Sequence, residues 1–211
     1  AMHVDLVQQV VTSGNSVFGS DRLVGIEGVQ TGAGADSVLG NSADNIIITD
    51  ISTDTVGSDD TIDSGTGADT IQAGAGNDLI YYNPDAAINA GTGSDTLVMR
   101  GASAGASIDM VTDAGKVEGI EKIDLLSDGH PIHLTLDTTD VSEMGGVVSI
   151  RGDSADEVTP LGTWAISGSP VNVGGVWYKT YVSGANRLLI ECGPGPNYDT
   201  GARVVGLSIT G

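Results

Sequence analysis

Cysteine occurs once in the 211 residues, at Cys192, so no internal disulfide can staple the fold. A lone cysteine packs as a small hydrophobe more readily than it acts as a nucleophile. Aromatics make up only 4% of the chain, with a single Phe, so a core must be assembled from Ile, Val, Leu and Ala. No apolar run approaches the ~20 residues of a membrane-spanning helix. Basic residues are scarce: 8 Lys and Arg stand against 28 Asp and Glu, and up to residue 99 the only one is Arg22. That argues against nucleic-acid binding, which needs a basic stripe. No basic-then-apolar leader opens the chain. Ala1-Met2 reads as a cloning scar before an excised fragment, which leaves export undecided.

What is present is acid and glycine. A formal charge of −20 repels itself and opposes a compact state unless cations neutralise it. A solvated acidic surface needs no ion, whereas an ion-loaded scaffold needs carboxylates at regular spacing. Glycine is 32 of 211 residues, about 15% and roughly twice ordinary usage. Short β-branched runs between glycine turns read as many short strands.

The spacing favours the scaffold. Gly32-Ala-Gly34-Ala-Asp36-Ser-Val38, Gly65-Thr-Gly67-Ala-Asp69-Thr-Ile71, Gly74-Ala-Gly76-Asn77-Asp78-Leu-Ile80 and Gly91-Thr-Gly93-Ser-Asp95-Thr-Leu97 share one pattern. Gly40-Asn-Ser-Ala-Asp44-Asn-Ile46 fits with Ser42 for the second glycine, and Asp60-Thr-Ile62 keeps the aspartate and the aliphatic. Asp60, Asp69 and Asp78 are nine apart, Asp36 and Asp44 eight, and Asp78 and Asp95 seventeen; Asp54 lies near the slot between Asp44 and Asp60. Glycine permits positive φ, aspartate offers hard oxygens of the kind calcium takes six to eight of, and the aliphatic at +2 enters a shared core. A unit that cannot bury its own apolar face must stack. Alternate units then lie on opposite edges. This predicts one ladder through Asp44, Asp60, Asp78 and Asp95 and another through Asp36, Asp54 and Asp69.

The pattern resembles the G-G-x-G-x-D-x-U-x nonapeptide of the repeats-in-toxin (RTX, hemolysin-type) family. The resemblance implies a parallel β-roll binding Ca2+ between consecutive turns. Ligands would be those aspartates and carbonyls of the 32–36, 65–69, 74–78 and 91–95 turns, at Gly32, Gly34, Gly65, Gly67, Gly74, Gly76, Asn77, Gly91 and Gly93. The first glycine of the family's pair is replaced by Thr31, Ser64, Ala73 and Ala90.

The fold expected is all-β: a cap over 1–30, the calcium-binding β-roll over 31–98, and a β-solenoid continuation and mixed β region over 99–211. Strands are expected in the cap around Leu6-Val7, Val17-Phe18 and Leu23-Val24. In the last region, Thr139-Asp140-Val-Ser-Glu143 reads as a capped helical turn. Val176–Val182 and Arg187–Ile190 read as an antiparallel hairpin. Gly119-Ile-Glu-Lys-Ile-Asp-Leu125, Leu134-Thr-Leu-Asp-Thr-Thr-Asp-Val141, Ile150-Arg-Gly-Asp-Ser-Ala-Asp-Glu-Val158, and Trp164 followed by Gly175-Val-Trp-Tyr-Lys-Thr-Tyr181, resemble a module found beside such repeats in large type I-secreted bacterial adhesins.

Other motifs have plainer readings. Gly101-Ala-Ser103-Ala-Gly105 spells a nucleophile elbow, which works at a strand-to-helix turn of an α/β sheet and not in a β-repeat loop. His130-Pro-Ile-His133 lacks a third metal ligand, and Arg151-Gly-Asp153 falls inside a Gly-Asp-Ser-Ala-Asp pattern. Asp153, Asp156 and Glu157 have the chemistry of one more calcium site. Trp164, Trp177, Tyr178 and Tyr181 read as hairpin core, with a sugar-stacking platform as the rival. No catalysis is expected. The reading is a calcium-binding structural or adhesive module of a large secreted, cell-surface bacterial protein. Its partners would be calcium, the type I secretion machinery, and a surface glycan or protein ligand. The alternatives are the calcium-binding tail of an exported protease or lipase, or a carbohydrate- or peptide-binding domain.

Overall fold

A computed structural model describes residues 1–13, 20–22, 24–50, 57–100, 106–113, 115–125, 130–192, 203–204 and 208–209. Residues 1–97 with 116–119 form one compact unit, and 98–115 with 120–211 form a second. The strands begin β1 (Met2–Asp5), β2 (Val10–Ser13), β3 (Ser20–Arg22), β4 (Gly28–Gln30), β5 (Ser37–Asn41), β6 (Ile46–Ile48), β7 (Thr61–Gly65) and β8 (Thr70–Gln72). They continue with β9 (Ala75–Gly76), β10 (Leu79–Tyr81), β11 (Ala87–Asn89), β12 (Thr92–Gly93), β13 (Thr96–Val98), β14 (Ala106–Asp109), β15 (Val117–Glu118), β16 (Lys122–Asp124) and β17 (Ile132–Leu136). After helix α1 (Thr138–Glu143) come β18 (Val147–Arg151), β19 (Glu157–Pro160), β20 (Thr163–Ile166), β21 (Val171–Val173), β22 (Val176–Ser183), β23 (Asn186–Cys192), β24 (Arg203–Val204) and β25 (Ser208–Ile209).

The first unit is the expected roll. One parallel sheet runs β1-β5-β7-β10, and a second runs β4-β6-β8-β11-β15. The aliphatic two residues after each turn residue enters the core: Val38, Ile62, Ile80 and Leu97 on the first sheet, Ile47, Ile71 and Ile88 on the second. Burying each such side chain stabilises the fold by about 1.5–3 kcal/mol, a contribution that aromatics do not need to make here. The cap strands sit elsewhere than expected. β1 and β2 flank Leu6-Val7, with Leu6 buried and Val7 exposed, and β2 pairs antiparallel with both β1 and β3. Val17-Phe18 and Leu23 lie outside the described residues.

The second unit is also β-rich. β16, β18 and β23 pair in parallel, as do β14, β17, β19 and β24. The hairpin expected near the end is present: β22 pairs antiparallel with β23 from Trp177↔Cys192 to Ser183↔Asn186, and Gly184 opens its two-residue loop at φ 60°. Helix α1 forms where a helical turn was expected, but its cap is shifted. Asp137 is the N-cap and Asp140 the reciprocal N3 partner, two residues ahead of the expected Thr139 start; Asp outranks Thr as an N-cap, and only this pair has the three-residue spacing of a capping box.

Candidate metal centre

The turns of the first unit stack so that each aspartate reaches one rung back. The amide of Asp36 donates to Oδ1 of Asp60 at 2.7 Å, that of Asp60 to Asp78 at 2.8 Å, and that of Asp78 to Asp95 at 2.8 Å. All four aspartates are buried, at 4% exposure or less. Parallel strands rise roughly 4.8 Å per rung, so the edge carries a column of carboxylates at that pitch. Oδ2 of Asp36, Asp60 and Asp78 is buried and meets no hydrogen-bond donor. A buried anionic oxygen left without a partner is costly, and its usual remedies are a proton or a cation.

The electrostatics agree. Asp78 is pushed up to about 7, first by burial and further by the charges of Asp95, Asp60 and Asp50, although the Asp60 amide pulls the other way. Asp60 is also raised, chiefly by burial. These groups resist ionising in this fold without a counter-charge.

Glycine lets the turns stack this closely. Gly34, Gly65, Gly67, Gly74, Gly76, Gly91 and Gly93 all have positive φ, whereas Gly32 does not. A Cβ on Gly67 would lie 2.7 Å from the Ala43 carbonyl oxygen, and one on Gly93 would run into that of Gly76. β9 and β12 are the turn segments themselves, paired Ala75↔Thr92 and Gly76↔Gly93. The turn backbones that lead into Asp78 and Asp95 therefore stack one on the next. Among the described residues no three His, Cys, Asp or Glu side chains form a metal cluster. A cation here must take backbone oxygens together with carboxylates, a mixed set that calcium accepts.

The structure corrects the ladder. Asp36 stands on the edge of Asp60, Asp78 and Asp95, where Asp44 was expected, and Asp44 belongs to neither column. The register pairs Ile46 with Thr70, which sets Asn45 opposite Asp69, and the Asn45 amide donates to Asp69 Oδ1 at 2.8 Å. Asp44 is exposed and accepts the amide of Ala68 at 2.9 Å. Asp59 and Asn77 have the same outer role, accepting from Asn77 and Ser94 respectively. The missed signal was the period: Asn45, not Asp44, lies nine residues after Asp36. Ile47 is accordingly buried, while Ile46 is 54% exposed. Asp54 lies outside the described residues. Ser58, which the sequence places at a glycine position of the Asp60 turn, accepts the Gly34 amide at 3.0 Å through its hydroxyl, a bond that the repeat pattern does not mark.

The second unit uses a related device without the orphaned oxygens. Asp156 accepts the Ile132 amide at 3.0 Å through Oδ1, and its Oδ2 accepts the Asp153 amide at 2.8 Å. The carboxylate is satisfied by backbone, so Asp153, Asp156 and Glu157 do not gather as a further calcium site. Glu157 instead meets His133 at 2.8 Å. Trp164, Tyr178 and Tyr181 are buried, and Trp177 is 37% exposed. Gly101–Gly105 lies outside the described residues.

A stacked β-roll with one aspartate column along its turns is a repeat scaffold of the nonapeptide kind. Residues 29–56 and 54–86 match the RTX calcium-binding nonapeptide repeat in its four-copy form, and this stretch of the chain consists of RTX calcium-binding repeats. Proteins built with such repeats are typically secreted. No curated protein matches the chain. Among the described residues no helix is long and apolar enough to cross a membrane.

Proposed function

We propose that this chain is a calcium-dependent structural module of a large secreted bacterial surface protein, adhesive in context and not an enzyme. The observation that carries the reading is the row of buried carboxylate oxygens without donors on Asp36, Asp60 and Asp78. Bound calcium would supply the positive charge and oxygen coordination that this row lacks. Asp36, Asp60, Asp78 and Asp95, with carbonyls of the 32–36, 74–78 and 91–95 turns, would hold it. At low calcium the −20 charge and the column of like charges oppose folding, which suits a chain exported unfolded by a type I system. At millimolar calcium, binding free energy becomes folding free energy.

Support for an adhesin context comes from the second half, whose sequence resembles the module found beside RTX repeats in type I-secreted adhesins. Three of its four noted aromatics are core residues, which leaves the sugar-stacking reading with Trp177 alone. The test is circular dichroism and thermal melting in calcium, magnesium and excess chelator. Chelation should weaken the β-structure and lower the melting temperature, and calcium should restore both, with magnesium a poor substitute. A fold and melting temperature indifferent to chelation would overturn the proposal.

A further inference from the structure

The two edges of the roll treat their polar turn residues differently. On the first edge Asp36, Asp60 and Asp78 each keep a buried oxygen without a donor. Asp69, on the second, does not. Its Oδ1 accepts the Asn45 amide at 2.8 Å, as its place in the stack requires, while Oδ2 accepts from Nδ2 of Asn83 at 3.1 Å. The same Nδ2 donates to the Gly67 carbonyl at 3.0 Å. Asn83 is 7% exposed. Its Oδ1 accepts the Asp85 amide and its carbonyl the Ala86 amide, both at 3.1 Å. Because Asp85 brings a donor and the Gly67–Asp69 side only acceptors, the carboxamide has a single satisfactory orientation.

An aspartate oxygen and a turn carbonyl facing one point are what a hard cation takes, and here an amide group with two hydrogens stands there. The register explains why. Ala87 pairs with Thr70, so Ala86 stands at the next aspartate place and brings no carboxylate. The segment before it sends in Asn83. One rung back, Asn45 also closes its own turn, accepting the Asn41 amide at 2.9 Å and donating to Asn41 Oδ1 at 3.3 Å.

We infer that Asn83 is a built-in substitute for the cation at Asp69, making the Gly67–Asp69 pair a latent calcium site that opens when the carboxamide is removed. The inference rests on the calcium-ladder reading of the first edge, and it adds that loading is confined to that edge. An asparagine that only anchored the 81–86 segment would leave calcium uptake alone.

The test uses the full chain, with Asn83→Ala and the near-isosteric Asn83→Asp. Calcium is counted by equilibrium dialysis, and melting is followed in calcium and in calcium-stripped buffer. Both variants should melt below the parent in stripped buffer, recover most of the loss in millimolar calcium, and bind one calcium more. Asn83→Asp should take up the added ion at least ten times more tightly than Asn83→Ala. An unchanged calcium count in both variants, with equal losses in both buffers, would overturn this inference alone. A parent chain that binds no calcium would bring down the ladder reading, and this inference with it.

Discussion

The main-chain amide of Asp60 donates to Oδ1 of Asp78 at 2.8 Å across eighteen residues of sequence, while Oδ2 of the same carboxylate is buried with no donor. One oxygen thus fixes the stacking of two coils, and the other faces a demand that the protein itself does not meet. Removing Asp78 costs both functions at once.

The Asp78→Ala protein is therefore expected to need at least about tenfold more calcium at its folding midpoint, equivalent to about 1.4 kcal/mol. Asp44→Ala removes the same charge from an exposed outer position and should shift the midpoint less than about twofold. Calcium titration followed by melting compares them. Equal midpoints for the two would reject the column geometry.

Acid should partly replace calcium. Asp60 and Asp78 sit above the ordinary aspartate value of 3.8 in the fold, Asp78 at about 7. Between those values the folded chain holds more protons than the unfolded one, so stability falls as pH rises through that window. Asp140 in the second unit is raised as well and adds the same sign. In calcium-stripped buffer the melting temperature should be higher at pH 5 than at pH 8, while calcium uptake strengthens over the same interval as protons cease to compete. A melting temperature that climbs from pH 5 to pH 8 without calcium would contradict this.

Asp156 should behave unlike Asp78. Both of its oxygens are bonded to backbone amides, so Asp156→Ala strands two donors and should cost about 1–3 kcal/mol. That loss is expected to be the same with and without calcium. Denaturant titration in the two buffers measures it, and a loss seen only in calcium would place an ion at Asp156.

Gly93→Ala combines a backbone penalty with a collision against the Gly76 carbonyl oxygen, whereas Gly115→Ala, at φ 76°, meets nothing within 4 Å. The second should cost about 1 kcal/mol from conformation alone. The first should cost distinctly more and weaken calcium uptake too. Equal losses would mean that the turns stack less closely than described.

The roll, its +2 core and the hairpin were legible because each rests on a short-range rule: glycine before the turn, an aliphatic after it, alternation along β22 and β23. The edge assignment was not. Matching Asp44 by residue type broke the nine-residue period that Asn45 keeps, and only the parallel register, with Ile47 inward and Ile46 outward, separates the two. Asn83 was illegible for a different reason. It acts through a carboxamide held across 14 residues of sequence to Asp69, outside any repeat position, and nothing in the nonapeptide pattern marks it. The cap of α1 was misplaced because Thr139 and Glu143 stand four apart, one residue more than a capping box spans, whereas Asp137 and Asp140 stand three apart and close it with two carboxylates.

The sequence separation between bonded neighbours on the first edge runs 24, 18 and 17 residues, yet each gives the same amide-to-carboxylate bond. Ile132 and Asp156 repeat the longest of these in the other unit. The scaffold therefore registers depth along its axis and is indifferent to contour length: one circuit accommodates six more residues than the next, and the column stays in step.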